Sequence, residues 1–398
     1  MYKKAVLYRL KFMGKQSQKN CFEFRKENGK LKTVELQDRL NEIFQYLHEN
    51  PEVSWKEYNT TAYITKFLEE EGISYKVFDD CPGVIAEIGN GKPVIAIRAD
   101  IDALWQEVDG KFKANHSCGH DAHMTIVMGL IVQLKNVNWQ KGTVRFIFQP
   151  AEEKGNGALK MVEKGAVDDA DFLFGVHLRP IEELPLKQAA PSIRHGAADF
   201  LEANISGDDA HGARPHQGVN AIDVISMINI GLKNIWLSPQ RSYSIKMTKC
   251  QAGGESLNII PGNGQFALDV RAESNVLLEE LKKKIEQVIQ SNESMGTKIS
   301  YEWTDPVPGA EVSEEAEQLL RKGIREVYGE EGCTPPLFTA GSDDFHYYTV
   351  KRPHLKAVML GLGANLQPGL HHPHMVFDQA CILDGVKIFK QTVLAALK

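Results

Sequence analysis

Six of the 13 histidines fall in two tight groups: His116, His120 and His123 surround Cys118, and His371, His372 and His374 stand together near the end of the chain. Between the groups lie the adjacent acids Glu152 and Glu153, directly after an apolar run and Pro150, and His177, at the end of another apolar run. Thiolate, imidazole and carboxylate are the donor types that Zn²⁺ or a comparable divalent ion prefers. Each has an ordinary reading by itself: a buried small thiol, a hydrogen-bonded surface imidazole, a solvated acidic loop. Their clustering points instead to a metal site. Gly119 lets the backbone approach closely, and side chains two apart on an extended segment face the same way, so Cys118 and His120 are expected to share a metal. Asp121 either caps the following helix or accepts a hydrogen bond from a ligand imidazole. On an extended segment Glu152 and Glu153 would point apart, one toward metal and the other toward a water.

The elements that must position these groups follow from periodicity. Leu36, Leu40, Ile43, Phe44 and Leu47 recur at helical spacing, in a helix that stops before Pro51. A second helix is expected over 59–71, with Ala62, Ile64, Phe67 and Leu68 on one face. Strands are expected over 84–88 and 94–97, joined as a hairpin through Gly89-Asn90-Gly91-Lys92-Pro93. A helix over 122–134, a strand over 144–148 and a strand over 171–177 continue an alternating order, which predicts an α/β sheet covered by helices on both faces with ligands at the strand ends. The middle reads differently: a strand over 200–205, a helical stretch over 219–236, strands over 243–247 and 264–271, and a helix over 277–290 make a small α+β sandwich. A strand over 358–362 and a helix over 378–397 resume the first style. The expected division is an N-terminal extension over 1–32, a discontinuous catalytic domain over 33–196 and 303–398, and an inserted domain over 197–302.

Composition narrows the function. The 398 residues are 42% hydrophobic and 25% charged, an ordinary balance for a folded soluble chain. The net charge of −6 argues against a nucleic-acid partner, and no run of about 20 apolar residues argues for a membrane. Six cysteines spread singly, without a CxxC pair, are expected to be reduced thiols of a cytoplasmic protein. Met13 is an alternative start.

The segments His116-Ser117-Cys118-Gly119-His120-Asp121-Ala122-His123, Gln149-Pro150-Ala151-Glu152-Glu153, Gly175-Val176-His177 and His371-His372-Pro373 resemble the metal-site motifs of the M20 family of metallo-aminoacylases and peptidases. The similar subgroup holds aminoacylase-like amidohydrolases, hippurate hydrolases and plant auxin-conjugate hydrolases. Further matches run in order: Leu47 to Glu52, Arg98-Ala99-Asp100-Ile101-Asp102-Ala103-Leu104, Pro215 to Gly218, Asn258 to Pro261, and Gly341-Ser342-Asp343-Asp344-Phe345. The resemblance implies a mixed-sheet catalytic domain with an inserted lid that also dimerises. It implies two divalent ions per subunit, Zn²⁺ or Mn²⁺, with Cys118 as bridging thiolate, His120 and His177 completing one ion, and Glu153 and His371 the other. His372 and His374 are not expected to be ligands. Glu152 would be the general base of amide hydrolysis by a metal-activated water, and His211 would reach the oxyanion, often from the partner subunit. By the same resemblance, Asn258 and Arg271 would sit where the lid contacts a substrate carboxylate.

The implied activity is cleavage of N-acyl amino acids or related small amides by a homodimer. The alternatives are a small-dipeptide metallopeptidase, a thiol hydrolase using Cys118 with His120 or His123, and a non-catalytic dimerising scaffold. Three departures stand out: Trp105 where relatives have proline, a short segment over 106–115, and Asp343 where a Glu is usual. Ser117 also replaces a common alanine.

Overall fold

The computed structural model of the chain describes residues 33–398, so the N-terminal extension, Met13 and Cys21 lie outside the described residues. In chain order, helices α1 (Thr33–Glu49) and α2 (Tyr58–Glu71) precede strands β1 (Ser74–Val77), β2 (Val84–Asn90), β3 (Val94–Asp100), β4 (Leu104–Val108) and β5 (Lys111–Asn115). Then come α3 (His120–Leu134), β6 (Gly142–Gln149), α4 (Gly157–Glu163), β7 (Phe172–Pro180), β8 (Ala189–Ala190) and β9 (Ile193–His195). The middle holds β10 (Ala197–Ser206), β11 (Ala210–His211), α5 (Ala221–Lys233), β12 (Tyr243–Ala252), β13 (Ile259–Ile260), β14 (Gly264–Ala272), α6 (Asn275–Asn292) and β15 (Lys298–Val307). The chain closes with α7 (Glu314–Tyr328), β16 (Leu337–Thr339), α8 (Tyr347–Lys351), β17 (Lys356–Leu366) and α9 (Ala380–Ala396).

The larger sheet runs β1-β2-β6-β3-β7-β17-β8, and its central four strands, β6, β3, β7 and β17, are parallel. Being covered on both sides, these strands are largely apolar, and all seven residues of β3 are buried, Arg98 and Asp100 among them. Ile95 and Ile97 face one core with α1, α3 and α9, whereas Val94 and Ala96 face the other with Met161, Phe345 and Tyr348. Helix α3 is buried everywhere except Gln133, because it is sandwiched between the sheet and the helices α1 and α9. This is the α/β mixed-sheet class expected from the alternating pattern. No helix among the described residues is long and apolar enough to cross a membrane.

The expected hairpin between β2 and β3 does not form. Strand β6 lies between them, antiparallel to β2 and parallel to β3, so Gly91-Lys92-Pro93 only carries the chain across. The Asn-Gly pair supports a tight turn locally, but β6, arriving later, occupies the place between the two strands. A hairpin does form between β4 and β5, around Asp109 (φ 53°) and Gly110 (φ 75°), the positive-φ pair of a two-residue turn. In α2, Thr60 takes the buried position beside Ile64, Phe67 and Leu68, while Ala62 is exposed. Helix α7 escaped the periodicity reading, although Ser313 caps it by accepting from Ala316 N and Ala316, Leu320 and Ile324 form its buried stripe.

The middle segment builds an antiparallel sheet, β12-β14-β10-β15, with α5 and α6 against one face. It has its own core, including Leu201, Ile228, Phe266, Leu268, Leu281 and Ile285. Strand β15 continues to Val307, past residue 302.

Candidate metal centre

The parallel strands deliver the donors from one edge of the sheet. Strand β3 ends at Asp100 and is followed by Asp102; β6 leads through Pro150 and Ala151 into Glu152 and Glu153; β7 carries His177; β17 leads to His371. Two of the linking residues hold left-handed backbone conformations that cost a non-glycine residue about 1–3 kcal/mol, Ala151 (φ 54°) and His371 (φ 63°). Ala151 is held there by the carboxylate of the buried Glu57, which accepts its N–H at 2.8 Å. Its carbonyl accepts from Gly157 N at 3.2 Å.

The local geometry differs from the extended segments expected at two places. Glu152, Glu153 and Lys154 form a single 3₁₀ turn, and His120 is the first residue of α3, preceded by Gly119 at φ 85°. Successive side chains on such turns also diverge, so two carboxylates still take separate positions. His120 Nε2 lies 3.8 Å from Glu152 Oε2 and 3.9 Å from Glu153 Oε1.

Cys118 Sγ is the shared point. It lies 3.5 Å from His177 Nε2 and 3.3 Å from His371 Nε2, which is itself 3.5 Å from Glu153 Oε1. The donor atoms of Cys118, His120 and His177 all lie within 4.8 Å of one another, as do those of Cys118, Glu153 and His371. Three further groupings, Asp100 with His120 and His123, His120 with Glu152 and Glu153, and Glu152 with Asp343 and Asp344, meet the same spacing. His123 has both ring nitrogens engaged, Nδ1 with Asp100 Oδ1 at 2.7 Å and Nε2 accepting from Leu178 N at 3.1 Å. His372 accepts from His374 N, and neither belongs to these groupings.

The outer face of two of the donor imidazoles is tied down so that Nε2 is left for the centre. His120 Nδ1 bonds Asp102 O at 2.9 Å and His177 Nδ1 bonds Leu178 O at 2.7 Å. Asp102 does more: its Oδ2 accepts from Ser54 Oγ at 2.7 Å and Glu153 N at 3.0 Å, and its Oδ1 lies 3.2 Å from His120 Nδ1. It therefore joins a donor of one grouping to a donor of the other. Asp121 neither caps α3 nor orients a donor histidine; it accepts from Ala122 N and pairs with His48 Nδ1 at 2.7 Å. The hairpin supplies a second brace: Gln106 Nε2 donates to His371 O at 2.8 Å while its Oε1 accepts from Ser117 Oγ and Asn115 Nδ2. The signal for that brace was Asp109-Gly110, flanked by residues of strand character. Of the departures, Trp105 is 63% exposed on the hairpin, and Asp343 accepts from Phe345 N at 2.9 Å.

Beneath the centre, Arg98 is fully buried and binds Asp100 at 2.6 Å and Asp344 at 2.9 Å. Gln149 Nε2 and Ala158 N also donate to Asp344, so this interior charge is fully partnered.

The donor set fits cations. His120 Nε2 and Glu153 Oε1 are buried and have no hydrogen-bond partner among the described residues, as expected of atoms whose partner is an ion. Burial, with Asp343, Glu153 and Asp344 adding to it, pushes Glu152 well above the usual carboxylate range. Burial chiefly pushes Glu153 up to about 7 and, with Glu153 beside it, holds the Cys118 thiol well above its ordinary value. At His120 burial alone would favour the neutral ring, but Asp100 and Cys118 outweigh it and raise the imidazole. Such crowding of buried anions is what divalent charge relieves.

The centre opens into a cleft of about 650 Å³, lined also by Arg179, His195, Phe200 and Val307. The three remaining residues singled out from the sequence are not in its lining. His211 is exposed on β11, its Nδ1 accepting from Ala213 N. Asn258 is exposed, with its carbonyl accepting from Gly212 N at 2.8 Å. Arg271 is engaged with Asp269 and donates to Ala340 O at 3.1 Å.

The profile of peptidase family M20/M25/M40 matches residues 96–395. An IAA-amino acid hydrolase of Arabidopsis thaliana, ILR1-like 4, is 33% identical over 330 residues, covering 77% of this chain and 73% of its own. An N-acetylcysteine deacetylase of Bacillus subtilis is 31% identical over 392 residues, covering 90% and 97%. A Bacillus subtilis structure described as a dinuclear metal binding peptidase from the M20 family superposes with a TM-score of 0.78 at 28% identity, covering 91% of this chain and 98% of that one.

Proposed function

The chain belongs to peptidase family M20/M25/M40 and is a metal-dependent amidohydrolase, and from that premise we propose that it cleaves N-acyl amino acids or related small amides. The observation that carries the reading is the sharing of one sulfur by two donor groups. Cys118, His120 and His177 would hold one divalent ion and Cys118, Glu153 and His371 a second, a count that the dinuclear relative supports, and the thiolate, imidazole and carboxylate donors suit zinc or manganese. When bound, such a pair supplies Lewis acidity that polarises a scissile carbonyl and acidifies a water. Glu152, facing the cleft, takes the proton of the attacking water and delivers it to the leaving nitrogen, a service typically worth about 10²- to 10⁴-fold in rate.

His211 is assigned to the oxyanion. Because it is exposed away from its own cleft, it would serve the active site of a second copy, in a homodimer formed through an inserted lid that we set at 197–302 with the rest of β15 attached. The edge strand β12 and the exposed Ile222, Met227 and Ile230 of α5 support that face as the contact. The thiols, all unpaired among the described residues, suit a reducing cytoplasm.

The test is hydrolysis of acetyl, benzoyl and longer acyl amino acids by protein stripped with a chelator and reloaded with zinc or manganese. Activity should vanish and return with metal, and Glu152→Gln should abolish it. Full activity after verified metal removal would point to Cys118 as a thiol nucleophile and reject the reading. Sedimentation velocity decides the dimer, and a monomer with full activity removes His211 of a second copy from the mechanism.

A further inference from the structure

The cleft contains a cation that the hydrolytic chemistry does not use. Arg179 lies two residues beyond His177 on β7, so both side chains leave the same face of the strand. It is only 4% exposed, yet it lines the cleft that Glu152 and Asp343 also line. Its Nε donates to Glu183 Oε2 at 2.8 Å and Nη2 lies 2.7 Å from the same oxygen. A guanidinium offers five N–H donors in a rigid fork, and the Nη1 end has no hydrogen-bond partner among the described residues.

The charge balance of the cleft gives that free end a purpose. Among the described residues lining it, only Lys154 and Arg179 carry permanent positive charge, and Lys154 is exposed. Acids around them have other partners: Arg98 pairs with Asp343 and Asp344, and Glu153 belongs to the metal donors. Glu183, the sole counter-ion of Arg179 among the described residues, is 37% exposed and contributes one oxygen. The lining also includes His195, whose Nδ1 is paired with His346 Nε2 at 2.9 Å, so it adds a polar edge to the cleft. Asn258 and Arg271, the carboxylate contacts expected from sequence, are absent from this lining.

We propose that Arg179 is the anion anchor of the cleft, holding the free carboxylate of an N-acyl amino acid so that acidic ligands are selected over their carboxamides. The inference rests on the amidohydrolase reading of the same cleft. A carboxylate on the fork makes charge-assisted hydrogen bonds that a neutral amide cannot match, worth about ten- to a hundredfold in affinity.

The test is titration calorimetry on the zinc-loaded full chain with the ketomethylene isostere of N-benzoylglycine, in which CH₂ replaces the amide NH and prevents cleavage, and with its primary carboxamide. Wild type should bind the carboxylate about ten- to a hundredfold more tightly. Arg179→Gln should bring the two ligands within about threefold, and Arg179→Lys should keep part of the preference. Glu183→Gln, which removes the competing carboxylate at a half-exposed position, should increase the preference severalfold. A wild type without preference, or a folded Arg179→Gln that keeps the wild-type ratio, overturns the assignment. Should Arg179→Gln not fold, an unchanged or smaller ratio in Glu183→Gln overturns it instead. A wild type that prefers the carboxylate yet hydrolyses no N-acyl amino acid supports the anchor and counts against the proposed reaction.

Discussion

Replacing Asp102 with Asn tests how the centre is held together. The two carboxylate oxygens of Asp102 have different surroundings: Oδ2 accepts from Ser54 Oγ and Glu153 N, and Oδ1, without a hydrogen bond of its own among the described residues, faces His120 Nδ1 at 3.2 Å. An Asn side chain has one acceptor and one donor end. With its NH₂ toward Ser54 and Glu153 it loses both of those bonds; with its NH₂ toward His120 it sets a donor against a ring N–H that already donates to Asp102 O. The first orientation forfeits hydrogen bonds to a charged acceptor and the second sets two donors 3.2 Å apart in a buried site, and either should cost about 1.5–3 kcal/mol. Divided by about 1.4 kcal/mol per decade, that is about a ten- to a hundredfold loss of metal affinity, the range seen when residues supporting metal ligands are removed. Competition against a fluorescent zinc chelator reads it, with thermal unfolding of the metal-free proteins as the control for folding. Ser54→Ala removes a single neutral donor at the edge of the network, so its metal affinity should stay within about threefold of wild type. An Asp102→Asn protein that folds and binds zinc as tightly as wild type refutes the argument that this carboxylate couples His120 to Glu153.

The hairpin brace should show a smaller effect of the same kind: Gln106→Ala frees the His371 carbonyl, and competition titration should find metal affinity reduced by about three- to tenfold, with no change meaning that His371 holds its conformation unaided. Burial holds His195 at about 4 and His346 at about 3, below the 6.5 of the unfolded chain. Between pH 6.5 and 4 the unfolded state therefore binds more protons, and each ring should withdraw up to about 1.4 kcal/mol of stability per unit of falling pH. His346→Gln should flatten the pH dependence of the urea midpoint across that window, and an unchanged slope excludes His346 as a cause of acid lability. A methyl group at Gly129 would sit 2.6 Å from Leu40 Cδ2 and 2.7 Å from Val386 Cγ2, so Gly129→Ala should cost about 1–3 kcal/mol in urea unfolding by forcing α1 and α9 off α3. A neutral result would mean that those helices shift freely.

The chain spells out its chemistry more openly than its architecture. Donor types, their grouping around Cys118 and His371, and their position after apolar runs are local facts. Each survives in the one-dimensional string, because a strand long enough to be buried must end somewhere, and the residues after its end are the ones free to bind. The spacing of α1 and the alternation of the middle sheet were legible because burying one face imposes a period on consecutive residues, whereas α3 and β3, buried on all sides, were legible as apolar runs. Asp102 and Arg98 lay within a quoted motif, but their partners, Glu153 and Asp344, are 51 and 246 residues away. The insertion of β6 between β2 and β3, the paired rings of His195 and His346, and the exposure of Arg179 to the cleft likewise depend on which strands become neighbours. Sequence by itself determined what kinds of atoms this protein offers and on which ends of its elements they ride. Only the tertiary structure decided which of them meet, because strand order and side-chain partnership are settled by packing between distant segments, and no spacing within the chain encodes that.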